Sequence, residues 1–318
     1  MIASTTLVGP GTAHLVHDAL ASAAGAVDVC VLLNTTGAPL PLITAPRRVH
    51  AVDLPWPNDF AAARNAALEH AAALGATWAV TLDTDERLHN ATALRRAIAA
   101  TKAPALSVAH QDGNYAKPRA IRLPCAARWH GKTHEALAIE APAADGVTFS
   151  ELPKSPEQLQ AKRLRDLPLL QAMAIAEPTD GRWLYYLGDT FEGLGNPVAA
   201  IAAWERCAEV STWDEEAAWA CYRAANALLF SPIQDAAHAL LACTTGLARH
   251  PGIAELCWLA GIACHRLGRY RHALHWAELA RTHRRGSEAH QGRRGFCEVK
   301  GLTHGPGEVA AFARKALA

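Results

Sequence analysis

No apolar run in this 318-residue sequence reaches the roughly 18 residues that a membrane-spanning helix needs. The N-terminus also lacks the basic segment, apolar core and cleavage site of a secretion signal. Neither sign of charge is in excess, because 31 Lys and Arg stand against 30 Asp and Glu. The chain as a whole therefore gives no indication of a membrane surface or a polyanionic partner. We expect a cytoplasmic protein with no membrane span.

Several short motifs of known chemistry are also missing. The eight cysteines form no C-x-x-C pair, so reduced thiols that fill the cores are expected. The sixteen histidines include no H-E-x-x-H zinc motif. No G-x-x-x-x-G-K-[ST] loop occurs, and no G-x-G-x-x-G follows the first predicted strand, so a P-loop phosphotransferase or a Rossmann protein has no support.

The first half of the chain alternates strand-like and helix-like segments. Strand patterns cover residues 5–8, 27–33, 48–54, 78–82, 105–109 and 119–123, and helical patterns cover residues 13–24, 59–74 and 91–101. Asn58 or Asp59 is a suitable N-cap for the second helix, and Gly75 is suited to its C-terminal end. Strands separated by helices of this length predict an α/β domain over residues 1–152, with a mainly parallel sheet flanked by helices.

The second half is rich in alanine and helical throughout, and it repeats. Gly188, Gly195 and Ala200 recur as Gly261, Gly268 and Ala273, with the same spacings of seven and five residues. Ala239 and Ala273 are 34 residues apart, which is the tetratricopeptide period. Residues 153–318 are therefore predicted to form an α-helical, tetratricopeptide-like domain. We expect its concave surface to contact an acceptor or to form a homodimer.

A second feature of this half is a basic stretch. Residues 261–300 hold nine Arg or Lys against three Glu. This excess fits a solvated helical face, and it also fits a site for an acidic acceptor.

The segment T-W-A-V-T-L-D-T-D-E-R-L at residues 77–88 carries the main chemical signal. An apolar strand ends where Asp83, Asp85 and Glu86 begin. Residues i and i+2 of an extended chain point the same way, so Asp83 and Asp85 can address one hard cation. Carboxyl ends of strands are where open α/β sheets bind ligands. The alternative is an acidic turn in which Glu86 caps a helix.

Two further segments accompany this one, W-P-N-D-F-A-A-A-R-N-A-A-L at residues 56–68 and R-W-H-G-K-T-H-E at residues 128–135. With T-L-D-T-D-E at residues 81–86, they resemble the family 2 glycosyltransferases, which have a GT-A fold. The last segment resembles the G-x-x-H-E segment of a branch that carries tetratricopeptide helices at its C-terminus. The resemblance covers roughly residues 50–140, and the helical region by type.

The resemblance implies a metal-dependent inverting glycosyltransferase that takes a sugar from a nucleoside-diphosphate sugar, with a UDP-sugar first among the candidates. Asp83 and Asp85 would hold Mn²⁺ or Mg²⁺, which bridges the diphosphate, and Glu135 would be the catalytic base. The expected acceptor is a peptide or protein, a saccharide, or a modified nucleic-acid base.

Three further residues receive roles by the same resemblance. His134 would bind the metal or the diphosphate, and Arg64 and Asn65 would position the donor. The alternatives are a surface arginine and a capping asparagine at residues 64 and 65. For Glu135 the alternative is an exposed carboxylate or a partner of Arg128 or Lys132.

The sequence departs from the family pattern at two places. Asn34 stands where the family has an acid that contacts the nucleobase, and L-V-G-P-G replaces a K-N-E-like segment after the first strand. An amide carries both a donor and an acceptor, so Asn34 remains a candidate contact for the base. The departures also leave open a non-catalytic helical-repeat binding protein with a vestigial glycosyltransferase domain.

Overall fold

The computed structural model describes residues 1–113, 115–288 and 298–318. It divides into two compact units, Met1–Ser155 and Pro156–Ala318. The change in sequence pattern placed the boundary at residue 152. The basic stretch, interpreted as a solvated helical face or as a site for an acidic acceptor, includes residues 289–297, which lie outside the described residues.

The first unit contains an eight-stranded sheet with the order β3-β2-β1-β4-β7-β6-β10-β5. Its strands are β1 Ile2–Val8, β2 Val29–Asn34, β3 Arg48–Asp53, β4 Trp78–Thr81, β5 Glu86–His89, β6 Ala105–His110, β7 Ala116–Arg122 and β10 Ala143–Glu151. A separate pair is formed by β8 Trp129–His130 and β9 Ala136–Leu137. The helices of this unit are α1 Val16–Ala23, α2 Phe60–Ala73 and α3 Ala91–Ala100.

The sheet is mixed, which corrects the expectation of a mainly parallel one. Strands β3, β2, β1 and β4 run parallel to one another, but β7 is antiparallel to both β4 and β6. Strand β10 is parallel to β6, and β5 is antiparallel to β10. Helices α1 and α2 precede β2 and β4, whereas β6 and β7 follow each other after a short turn. A short connection permits only antiparallel pairing.

Two apolar layers cover the faces of the sheet. Alternate residues of β2 enter different clusters, because successive side chains of a strand point to opposite faces. Cys30 and Leu32 pack with α1 and α3, whereas Val31 and Leu33 pack with α2. Alanines on the buried side of α2 let this helix lie close to the sheet.

Local chemistry sets both ends of α2. The Asp59 side chain accepts a hydrogen bond from the Ala62 N–H at 2.8 Å, so Asp59 rather than Asn58 is the N-cap. Gly75 follows the helix at φ +83°, the left-handed conformation that favours glycine. Both ends agree with the sequence pattern, and they fix where the first turn of α2 presents its side chains.

The second unit is helical. Its helices are α4 Pro156–Ala176, α5 Gly181–Gly193, α6 Pro197–Val210, α7 Asp214–Phe230, α8 Ala236–Arg249, α9 Ala254–Arg266, α10 Tyr270–Glu288, α11 Val299–Leu302 and α12 Gly305–Leu317. Helices α5 with α6, α7 with α8, and α9 with α10 pack as successive hairpins. The unit is therefore a tetratricopeptide-like helical repeat, as the 34-residue spacing predicted.

The repeated small residues have a packing role in these hairpins. Ala200, Ala239 and Ala273 are fully buried on the second helix of each hairpin. A Cβ added at Gly188 would lie 2.4 Å from Nε1 of Trp204, so only glycine allows α5 and α6 this contact. The described cysteines of this unit are buried and unpaired, as expected. No helix among the described residues is long and apolar enough to cross a membrane.

Candidate ligand-binding site at the carboxyl edge of the parallel strands

The carboxyl ends of β3, β2, β1 and β4 lie side by side along one edge of the sheet. Asp53 and Asn34 are the last residues of β3 and β2, and Gly9 and Asp83 follow β1 and β4. In chain order, β2 and β3 are added on one side of β1, and β4 then pairs with the other side of β1. The order therefore reverses between β1 and β4, the position where open α/β sheets form a ligand crevice.

Arg64 joins two of the predicted site residues near this crevice. Its Nη1 and Nη2 lie 2.9 and 3.1 Å from the two carboxylate oxygens of Asp83, and its Nε donates to Oε1 of Glu135 at 2.5 Å. The side chains of Arg64 and Glu135 are only 10% and 13% exposed, against 31% for Asp83. One guanidinium thus holds two carboxylates that are distant in sequence.

This arrangement overturns two of the alternatives for these residues. Arg64 is not a surface arginine, and Glu135 is neither exposed nor paired with Arg128, whose salt bridge goes to Glu69. A bidentate Arg–carboxylate pair fixes orientation as well as charge, because two parallel N–H groups meet two oxygens.

The electrostatics favour the ionised forms of Asp83 and Arg64. Burial alone would raise the pKa of Asp83, but the positive charges of Arg64 and Arg119 outweigh it and lower that pKa. Burial alone would lower the pKa of Arg64, but the negative charges of Asp83 and Glu135 outweigh burial and raise that pKa. Two carboxylates thus share one guanidinium.

Asp85 has a cationic partner of its own. Nζ of Lys154 lies 2.6 Å from Oδ2 of Asp85, and the backbone oxygen of Asp85 accepts the Leu152 N–H at 2.8 Å. Both aspartates are partly exposed, and carboxylate oxygens are the ligands that Mn²⁺ or Mg²⁺ accepts, so the donor chemistry fits such an ion. An ion at Asp85 would displace Lys154. Within the described part of the chain, Asp83, Asp85 and His134 do not form a group with ligand atoms within 4.8 Å of one another.

Glu86 shapes the turn that carries the two aspartates. Its Oε2 accepts the Asp83 N–H at 3.0 Å, and its carboxylate pairs with Arg119 and with Lys117. Glu86 begins β5, so the interpretation of this residue as a helix cap is wrong. Sequence reasoning missed Lys117 and Arg119. Their spacing of two in a strand was the available signal, since such residues share a face.

Asn65 and His134 both belong to the segment around β8 and β9. The Asn65 amide donates to the Trp129 oxygen at 3.0 Å and accepts the Trp129 N–H at 2.9 Å, so it anchors β8 to α2 rather than capping a helix. His134 is half-buried at φ +50° in the turn between β8 and β9, directly before Glu135. The turn thereby presents Glu135 to Arg64.

The side chain of Asn34 forms its hydrogen bonds with other residues of the same chain. Its Nδ2 donates to Oδ1 of Asp53 at 2.7 Å and to the Ala38 oxygen at 2.8 Å. Its Oδ1 accepts from the backbone N–H and the hydroxyl of Thr36, at 3.1 and 2.7 Å. An amide offers two donors and two acceptor positions, and all four are used here. Asn34 therefore has no group left for the direct contact with a nucleobase that the sequence suggested.

Comparison with known proteins identifies no family. No family model matches the chain, and no curated protein matches it. Solved structures of MamA match about half of it. One crystal structure of MamA is 18% identical, with 52% of this chain and 96% of that chain covered and a TM-score of 0.35. A structure of MamA residues 41-end from Desulfovibrio magneticus RS-1 is 17% identical, with 50% and 94% covered and a TM-score of 0.32. Likenesses this low support no conclusion about activity or partners.

These findings correct the family assignment made from the sequence. No family model matches the chain, so the assignment to the family 2 glycosyltransferases is wrong. The structure supports the coarser description, a mixed sheet with flanking helices followed by a tetratricopeptide-like helical unit. Short carboxylate motifs after strands indicate a ligand-binding edge of the sheet more reliably than they indicate family membership. The reason is that unrelated proteins have similar sites on similar sheets.

Proposed function

We propose that the sheet unit binds a nucleoside-diphosphate sugar along the carboxyl edge of β3, β2, β1 and β4 and transfers the sugar, with inversion, to an acceptor. The observation that carries this proposal is the cluster in which Arg64 holds Asp83 and Glu135 beside the point where the strand order reverses. The proposal depends on this site and not on family membership. It includes the finer fold class, a GT-A type of sheet, and a UDP-sugar as the first donor to test.

Each group of the cluster has a task in such a transfer. The acceptor oxygen or sulfur forms a bond to the anomeric carbon while the bond from that carbon to the diphosphate oxygen breaks. Glu135 takes the proton of the attacking hydroxyl or thiol. The nucleoside diphosphate leaves with the electron pair of the broken bond. Mn²⁺ or Mg²⁺ held by Asp83 and Asp85 would, when bound, stabilise the negative charge on that leaving group.

Arg64 links donor binding to the activity of Glu135. In this structure its Nε donates to Oε1 of Glu135 at 2.5 Å, so the guanidinium occupies that carboxylate oxygen. A diphosphate in the crevice offers Arg64 a second anionic partner, because guanidinium forks pair with phosphate as readily as with carboxylate. We infer that Arg64 turns toward the bound diphosphate and thereby frees Glu135 to accept a proton. His134, the neighbour of Glu135, would contact the same diphosphate or its metal.

The helical unit is proposed to bind the acceptor or to join two copies of the chain. Stacked helical hairpins form extended concave surfaces that suit a peptide or another extended chain. A saccharide and a modified nucleic-acid base remain the other acceptor classes. Salt dependence of acceptor binding would separate a nucleic acid from the other two, because phosphate contacts release counterions.

The test is calorimetric titration of UDP-, GDP-, TDP- and CDP-sugars, with and without Mn²⁺. We expect one donor to bind in the presence of Mn²⁺ and Asp85→Ala to abolish the metal-dependent part of its affinity. Asp145→Ala, at an exposed position in β10, is the matched control and should bind the donor as the wild type does. If no donor binds under any condition, the proposal fails.

A second candidate is a non-catalytic binding protein in which the helical unit is the working part. The observation in its favour is that the candidate groups already satisfy one another, since Asp83 and Glu135 share Arg64 and Asp85 pairs with Lys154. A vestigial site would keep these contacts for stability alone. Hydrolysis of the donor in the absence of an acceptor separates the two, because only a catalytic site releases free sugar at a rate that Glu135→Gln reduces.

A further inference from the structure

We propose that Asp53, held in place by Asn34, is the residue that recognises the nucleobase of the donor. This inference rests on the proposed function and deepens it, because it names both the contact and the kind of base that the contact accepts. The base must present an N–H group on its pairing edge, as uracil, thymine and guanine do.

The first argument is the way in which Asn34 holds Asp53. The two residues are register partners at the ends of β2 and β3, and the buried Asn34 amide donates to only one carboxylate oxygen of Asp53, at 2.7 Å. Among the described residues, the other oxygen, Oδ2, has no hydrogen-bond partner. Because Asn34 is fully satisfied by its own contacts, the carboxylate is fixed at one oxygen, and the second is available at the exposed end of the strand.

The second argument is the span of the edge. Strands β3 and β4 are separated by β2 and β1, so their ends lie about 14 Å apart at a spacing of ~4.8 Å between neighbouring strands. An extended nucleoside diphosphate is of comparable length. With its diphosphate at Asp83 and Arg64, its base reaches the end of β3.

The third argument is the space between these two ends. The middle strand β1 ends in Gly9-Pro10-Gly11, and a Cβ added at Gly9 or Gly11 would meet no atom within 4 Å. The Thr12 hydroxyl accepts the Gly9 N–H at 3.1 Å and donates to the Gly9 oxygen at 2.9 Å, which fixes this turn without covering it. The end of the middle strand thus has open space beside Gly9 and Gly11.

The fourth argument is chemical. A carboxylate only accepts hydrogen bonds, so its available oxygen pairs with N3–H of uracil or thymine, or with N1–H and the amine of guanine. Cytosine and adenine place an acceptor nitrogen at the corresponding position, and that nitrogen repels a carboxylate. Asp53 at the end of β3 therefore has the base-binding role that the sequence suggested for Asn34 at the end of β2.

The experiment measures the affinity of UDP, GDP, CDP, ADP and inorganic diphosphate by calorimetry with Mn²⁺ present. We expect the wild type to bind UDP or GDP more tightly than CDP and ADP. Asp53→Asn should weaken the preferred nucleotide about tenfold to a hundredfold, the value of a hydrogen bond to a charged group, and leave the affinity for diphosphate unchanged. Asp85→Ala is the comparison variant and should weaken every ligand in the series.

The outcomes separate this inference from the proposed function. If the wild type binds no nucleotide, both fail. If nucleotides bind but Asp53→Asn leaves the ratio of UDP or GDP to CDP unchanged, or weakens diphosphate to the same degree, only the inference fails. Asp53→Glu provides a second variant that keeps the charge on the strand. It should fold, as judged by its thermal midpoint, and still lose part of the base preference through the displaced carboxylate. An unaltered preference in this variant would overturn the inference.

Discussion

Replacement of Arg64 by methionine is the sharpest test of the cluster itself. The change keeps a long, flexible side chain inside α2 but leaves Asp83 and Glu135 without their shared cation. Arg64 and Glu135 are almost buried, so water compensates little. Removal of one partner of a buried ion pair costs about 3–5 kcal/mol of unfolding free energy. The partial exposure of Asp83 places our expectation near the lower value, about 3 kcal/mol.

The same substitution should change how stability depends on pH. The pKa of Asp83 is lowered in the folded protein, so its contribution is fully present above its unfolded pKa of about 3.9 and is lost as pH falls through the folded value. Without Arg64 the folded pKa rises toward or above the unfolded one. The difference in stability between wild type and Arg64→Met should therefore be largest at neutral pH and shrink below about pH 4.

The assay is urea denaturation followed by circular dichroism at several pH values between 3 and 7. Arg96→Met is the matched control, because Arg96 is an exposed arginine on α3, and its replacement should change stability by no more than about 0.5 kcal/mol. A loss below about 1 kcal/mol for Arg64→Met at pH 7, or a loss that stays constant down to pH 3, would refute the reasoning.

Two further substitutions test the packing of each unit. Gly188→Ala drives a methyl group into Trp204 and should destabilise the helical unit by about 1–3 kcal/mol in thermal unfolding, whereas Gly307→Ala, in open space on α12, should be neutral or stabilising. Asn65→Ala removes both hydrogen bonds to the backbone of Trp129 and should cost about 1–3 kcal/mol. It should also increase hydrogen exchange at the amide of Trp129, and unchanged exchange there would contradict the anchoring role.

The elements that the sequence predicted well are those set by local chemistry. The cap at Asp59 and the glycine at residue 75 place α2 within a residue or two of its true ends. Strands β5 and β10 escaped prediction, because their stability comes from pairing with each other and with β6 rather than from apolar runs of their own. The antiparallel direction of β7 also depends on its neighbours in space.

The site was predictable only as separate residues. The motifs marked Arg64, Asp83 and Glu135 as candidates, but no spacing rule states that one guanidinium holds both carboxylates, since the contacts join residues 19 and 71 positions apart. The pair formed by Asn34 and Asp53 was missed because its members are neighbours only through the parallel register of β2 and β3.

The sequence by itself determined the alternation of strands and helices in the first unit and the repeating helical hairpins in the second, because hydrophobic period, caps and small residues act over a few turns of chain. Only the tertiary structure decided which strand ends share an edge, which acid pairs with Arg64, and that the amide of Asn34 is used to hold Asp53. These features depend on contacts between segments that are distant in sequence. Such contacts stabilise the protein only once the sheet has formed.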